Sequence, residues 1–306
     1  MPTSSHAVNA VQLQHLHVNG ATLAYKIKGD IGRPLLITLH GGRGFGESST
    51  ETLSDKSGSH GSDFTACGPL SDAYRVLSFD FRGHGQSSFT RPFTFSQIVD
   101  DVEALRAHFA GNDKVIICGG SFGGYIAQQY AITYPDKVSH LILRGTAPSH
   151  EHEAEAMTTI KERLHLAPMA SPQMLEKVFS SFKDDEEMRL VMFAIGPLYS
   201  EGTYDPDRGL ESCRQTIYRA ESHNELYSEQ EKYFDYRPRL SEITAPTLII
   251  VGERDWICPP DQSRIMHEGI PRSELMVVAN ANHSVHHEQN ELVIRKIRSF
   301  LSENSL

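Results

Sequence analysis

A serine hydroxyl is a weak nucleophile until a base takes its proton and an acid orients that base. This chain carries candidates for every role, and the leading one for each follows a strand-like run. The serine is Ser121, in Gly119-Gly120-Ser121-Phe122-Gly123-Gly124. These residues follow an apolar run and precede a helical pattern, so G-x-S-x-G reads as a nucleophile elbow. Such a turn is tight enough to hold the serine in a strained conformation, and the glycines two positions either side leave room for strand and helix. A helix opening there also sets partial positive charge beside a developing oxyanion. Outside that context the same residues would be an ordinary glycine-rich turn.

The acid belongs after a later strand and the base after the last one, in the order Ser, Asp or Glu, His. Asp255 fits the acid in Val251-Gly252-Glu253-Arg254-Asp255, with Glu253 as the alternative. His283, in Asn280-Ala281-Asn282-His283, fits the base. His286 and His287 compete with it but read as surface residues opening the final helix. The predicted chemistry is acyl transfer. His283 takes the proton of Ser121 as it attacks a carbonyl, then protonates the leaving group, and water repeats the sequence on the acyl-enzyme. Two backbone N–H groups would hold the oxyanion, that of Phe122 and that of Gly42 or Arg43 in His40-Gly41-Gly42-Arg43-Gly44. No metal and no organic cofactor is required.

Asp80-Phe81-Arg82-Gly83-His84-Gly85-Gln86-Ser87 reads as structural, its Asp and Arg fixing a loop that supports the elbow. Cys118 reads as packing. Cys258 lies near the acid, where a thiol reagent would inhibit without a cysteine mechanism. No G-K-[ST] phosphate loop and no H-E-x-x-H spacing occurs.

The elements that must position these residues alternate. A hairpin over 15–28 turns at Asn19-Gly20. Strands follow at Pro34–His40 and Arg75–Phe79, then a helix over Ser96–Phe109 with Ser96 as its cap. Next come a strand at Val115–Cys118, a helix at Phe122–Tyr134 and a strand at Val138–Leu143. Residues 44–62, rich in Ser, Gly and Asp, read as a mobile loop. From 148 to 240 the pattern is polar and helical (Glu151–Leu166, Pro172–Phe182) with no strong strand. The rhythm resumes with a strand at Thr247–Val251, a helix near Gln262–Gly269, a strand at Leu275–Ala279 and a helix at Glu288–Leu301. Strands alternating with helices imply a mostly parallel central sheet flanked by helices. The α/β core is predicted over 1–147 and 241–306, interrupted by a mainly helical lid over 148–240.

Composition sets the broad class. Of 306 residues, 39 % are hydrophobic and 22 % charged, the balance of a soluble globular chain. The net charge of −10 argues against nucleic acid as a partner. No apolar run reaches the roughly 20 residues of a membrane helix, and Met1–Val11 has no secretory pattern. Four widely spaced cysteines suit reduced thiols in the cytoplasm.

Together these motifs resemble the α/β-hydrolase superfamily over roughly 15–145 and 241–301, and within it the proline iminopeptidase family. The likeness rests on H-G-G-x-G at 40–44, D-x-R-G-x-G-x-S at 80–87, G-G-S-x-G at 119–123 and Leu143-Arg144-Gly145. It implies a serine aminopeptidase acting on a short peptide or another small molecule, with lid glutamates, Glu225 and more loosely Glu221, holding the substrate's α-ammonium group. The chain departs from the family at Arg43, where Pro is usual, at Phe122, where Trp is usual, and in a longer 47–62. All three lie at the mouth of the site and bear on the substrate. A lactonase or carboxylesterase on the same triad is the first alternative. A non-catalytic, receptor-like binding protein is the second. A dehalogenase would resemble this fold with Asp in place of Ser121.

Overall fold

The computed structural model describes residues 11–47, 60–202 and 204–304. Most of the loop predicted over 44–62, and nearly all of the N-terminal segment read for a signal, lie outside the described residues. Among the described residues there are ten strands: β1 Gln14–Val18, β2 Ala21–Lys28, β3 Leu35–Leu39, β4 Phe45–Glu47, β5 Arg75–Phe79, β6 Val115–Gly120, β7 Val138–Arg144, β8 Thr216–Tyr218, β9 Thr247–Gly252 and β10 Ser273–Val278. Eight form one sheet in the order β1-β2-β5-β3-β6-β7-β9-β10, and β4 pairs with β8 in a small second sheet. β2 alone runs against the others, antiparallel to both β1 and β5, and every pair from β5 to β10 in that order is parallel. Asn19 and Gly20 turn the hairpin with φ of 49° and 76°, the paired positive values that an Asn-Gly turn supplies cheaply.

The inner strands are mostly apolar because helices cover both faces, and the buried Thr38 and Ser78 hydroxyls pair with each other. Alternate residues feed two separate cores. Ile37, Ile117, Leu141 and Ile249 pack with Ile98 and Ile126 of the helices on one face. Leu36, Ile116, Ile142 and Ile250 pack on the other with Val293, Ile297 and Phe300. A one-residue slip of any inner strand would exchange its two side-chain sets between unlike cores.

The chain runs from β3 to β5 on one side, then crosses to β6 on the other. The strand order therefore reverses beside β3, and a crevice opens at the carboxyl ends of β3 and β6. Loops after β3, β6, β9 and β10 all leave from that same edge, since the four strands are parallel.

Local differences from the sequence reading have physical causes. The helix Phe95–Ala110 starts one residue early because Thr94, not Ser96, accepts the Gln97 N–H. The predicted final helix is two, Val285–Glu288 and Asn290–Glu303, broken where Gln289 leaves helical dihedrals (φ −129°, ψ 42°). Helices His152–Arg163, Pro172–Val178, Asp185–Ile195, Pro206–Gln215 and Ala220–Leu226 lie between β7 and β9. The short strand β8 among them is three residues long, too short for an alternation to register. Of the loop predicted over 44–62, the first part is strand β4 and the end is helix His60–Cys67.

Candidate active site

Ser121 sits between β6 and the helix Phe122–Thr133 with φ 50° and ψ −122°, a strained conformation for a residue other than glycine. The surrounding structure enforces it. A Cβ on Gly123 would stand 1.9 Å from the Leu39 oxygen, and one on Gly119 would stand 2.3 Å from the Gly123 oxygen. The Ser121 N–H donates to the Arg144 oxygen at 3.0 Å, and the Thr146 hydroxyl donates to the Ser121 oxygen at 2.8 Å. Its own side chain makes no capping bond.

Asp255 leaves the end of β9 and is buried. Its Oδ1 accepts the backbone N–H groups of Ile257 at 3.0 Å and Cys258 at 2.9 Å. His283 Nδ1 stands 2.9 Å from Oδ2 and 3.0 Å from Oδ1. An Nδ1–H donated to the carboxylate leaves Nε2 as the acceptor. Ser121 and His283 open onto one cavity of about 760 Å³, within the usual size of small-molecule sites. The alternative acid, Glu253, is exposed and accepts the Asn280 N–H instead. His286 and His287 are not the surface residues expected. Both are half-buried and line the cavity, His286 facing Asp63 at 3.5 Å and His287 bonded to Ser62.

Gly41, Gly42, Arg43 and Phe122 also line the cavity. Phe122 is the first residue of its helix, so its N–H has no intrahelical acceptor. Gly42 has φ 76°, and a Cβ there would meet the Phe45 ring at 1.9 Å. The next turn is held by a residue the sequence did not single out. His84 Nε2 accepts the Gly44 N–H at 2.8 Å, while its Nδ1–H donates to the Arg82 oxygen at 2.9 Å. The motif 80–87 contains His84, but its partner lies 40 residues earlier, out of reach of any local pattern. Asp80 closes its own loop through the Gln86 N–H at 2.9 Å. Arg82 clamps Asp101 through Nε at 2.6 Å and Nη2 at 2.7 Å.

Glu221 and Glu225 do not reach the cavity. Both pair with Arg91, and their side chains stay 53 % and 34 % exposed. Positions 221 and 225 share one face of the helix Ala220–Leu226, while 223 and 227 lie about 200° round it. His223 and Tyr227 face the cavity, so the glutamates necessarily face away. Cys258 is also not the accessible thiol expected: it is fully buried, its Sγ 3.7 Å from the Tyr125 hydroxyl. Among the described residues no group of three or more His, Cys, Asp or Glu is arranged to hold a metal ion.

Four histidines round the site are held neutral by burial, His286 among them well below its ordinary range. Desolvation lowers His84 to about 4 and both His152 and His223 to about 3. The unfolded chain therefore binds more protons than the folded one as pH falls from about 6.5. Glu153 works oppositely, since desolvation raises it to about 7 and the folded state takes its proton first. Glu288 is raised by burial as well, but the lowered histidines outnumber the two raised glutamates and decide the sign. The melting temperature is expected to fall between pH 6.5 and 4 and to fall less in a His152→Gln variant; a flat profile would contradict these burial effects.

A profile of the alpha/beta hydrolase fold matches residues 34–289. The chain belongs to the α/β-hydrolase fold family. It is 55 % identical over 293 residues to proline iminopeptidase PfmaB of Pestalotiopsis fici, covering 95 % of this chain and all of that protein. Proline iminopeptidase of Saccharolobus solfataricus is 27 % identical, over 91 % of this chain and 87 % of its own. The meta-cleavage product hydrolase of Pseudomonas fluorescens IP01 superposes with a TM-score of 0.73 at 19 % identity, over 96 % of this chain and 98 % of its own. This α/β hydrolase is thus of the proline iminopeptidase type. Among the described residues no helix is long and apolar enough to cross a membrane.

Proposed function

We propose that this α/β hydrolase is a serine aminopeptidase that releases an N-terminal residue through an acyl-enzyme. His283 removes the Ser121 proton as Oγ attacks the scissile carbonyl, and the Phe122 and Gly42 or Arg43 N–H groups receive the oxyanion. The imidazolium then protonates the departing amine, and water, activated the same way, releases the acyl group. Asp255 accepts Nδ1–H throughout and fixes the tautomer. Residues 148–240 serve as a cap over a core of 1–147 and 241–306. The cycle draws on no metal or cofactor, and reduced thiols suit a cytoplasmic setting. The observation that carries the reading is the His283 Nδ1 contact with both Asp255 oxygens on a cavity shared with Ser121. The likeness to PfmaB supports the substrate.

The outward placement of Glu221 and Glu225 favours a second reading, hydrolysis of a lactone or carboxyl ester by the same residues. Initial rates on prolyl p-nitroanilide, free and N-acetylated, beside a γ-lactone and a short acyl ester, separate the two. The aminopeptidase reading expects the free anilide to be cleaved at least about tenfold faster than the blocked one, the worth of one charge-assisted contact. Equal rates with good ester or lactone turnover would replace it with the second. A Ser121 inert to a fluorophosphonate would remove both.

A further inference from the structure

The cavity holds a buried cation whose donors are mostly unused. Arg43 is 3 % exposed. Its Nη1 donates to the Leu226 oxygen at 3.1 Å, but Nε and Nη2 have no hydrogen-bond partner among the described residues. The guanidinium carbon lies 3.7 Å from the Tyr227 ring centre and 5.4, 5.5 and 5.7 Å from those of Phe95, Phe122 and Tyr125. Aromatic faces ease the desolvation of a cation, yet they leave in-plane N–H groups without acceptors, and that is costly.

The unused pair is informative. Nε–H and an Nη–H on one edge of a guanidinium match the two oxygens of a carboxylate. This protein uses the same Nε and Nη2 edge elsewhere: Arg82 binds Asp101 with it at 2.6 and 2.7 Å. At Arg43 the edge is present and no carboxylate among the described residues occupies it. Glu153, whose buried Oε1 also lacks a partner, forms no ion pair with it.

The position is close to the chemistry. Arg43 lies two residues past Gly41, and a Cβ on Gly41 would stand 3.8 Å from Ser121 Oγ. Phe122, one wall of the guanidinium box, is next to Ser121 in sequence. We propose that the Nε–Nη2 edge of Arg43 binds a carboxylate carried by the substrate a few bonds from the scissile carbonyl. The inference rests on the serine-hydrolase reading and narrows it: substrates are small acids, not the N-termini of long chains. The carboxylate is either the C-terminus of a dipeptide or the free acid of a carboxylated ester.

Matched pairs test it. Prolyl-alanine is compared with prolyl-alaninamide, and monomethyl with dimethyl glutarate. In the wild type the carboxylate member of a hydrolysed pair is expected to lead in kcat/KM by about ten- to a hundredfold, mainly through KM, the range of a charge-assisted bidentate contact. Turnover of the peptide pair assigns the carboxylate to a peptide leaving group; turnover of the ester pair alone assigns it to a small acid. Arg43→Met should bring the ratio towards one, and Arg43→Lys should restore part of it. A purely structural pin on Leu226 would lower stability and leave the ratio intact. Equal kcat/KM within both pairs in the wild type, or a ratio that survives Arg43→Met, overturns the proposal, and the wild-type ratio decides alone if the variants do not fold. Should neither pair be hydrolysed, the function reading has failed separately. Thermal shift of the wild type by succinate against succinamide then reads the site: a rise with succinate alone supports it, and no difference overturns it.

Discussion

Ser121→Ala is expected to lower kcat by about 10⁴ to 10⁶, the span seen when a serine triad loses its nucleophile, while leaving the melting temperature unchanged. Ser121 Oγ makes no capping bond, so its removal breaks no structural hydrogen bond. The φ of 50° is set by the packing of Gly119 and Gly123, and alanine, with the same Cβ, is held there equally. An activity loss with normal unfolding is therefore a chemical loss. Substantial residual turnover on the best substrate of the panel would show that the acyl group is carried elsewhere or that water attacks directly.

Asp255→Asn should cost on the order of 10⁴ in kcat, through the tautomer and not through lost structure. The amide cannot choose its orientation freely here. Two backbone N–H groups, of Ile257 and Cys258, point at the Oδ1 position, so the amide oxygen must take that place. Its NH2 then occupies the Oδ2 position, 2.9 Å from His283 Nδ1. Donor facing donor is unfavourable, so Nδ1 must give up its proton and Nε2 must carry it. An Nε2–H cannot receive the Ser121 proton. The decisive measurement is kcat for the purified variant with its melting curve; a loss of less than about tenfold with the fold intact would remove Asp255 from the role.

The topology of the core was legible because its residues are locally redundant. Asn19-Gly20 is a turn signal by itself, and runs such as Thr247–Gly252 are buried on both faces and read the same from either. The glycines around Ser121 were legible for a steric reason, since Gly123 meets the Leu39 oxygen. Orientation was harder to read. Glu221 and Glu225 occupy plausible positions in the chain, but a helix gives each side chain an angle as well as a place, and the packed face belonged to His223 and Tyr227. The buried setting of Arg43 was illegible for a related reason: it is made by rings at 95, 122, 125 and 227, which nothing in the chain order brings together.

The small ribbon of β4 and β8 joins two parts that separate sequence arguments treat apart. Phe45 to Glu47, directly after the Gly42–Gly44 turn, zips against Thr216 to Tyr218, and the Arg219 N–H reaches back to the Gly44 oxygen at 2.8 Å. The Leu226 oxygen and the His223 imidazole extend the lacing to the Arg43 side chain and carbonyl. Lifting this stretch would drag along with it the turn proposed to cradle the substrate oxygen. An enzyme ajar on that side is thus also an enzyme disarmed, and solvent arriving there meets a machine with a piece pulled out.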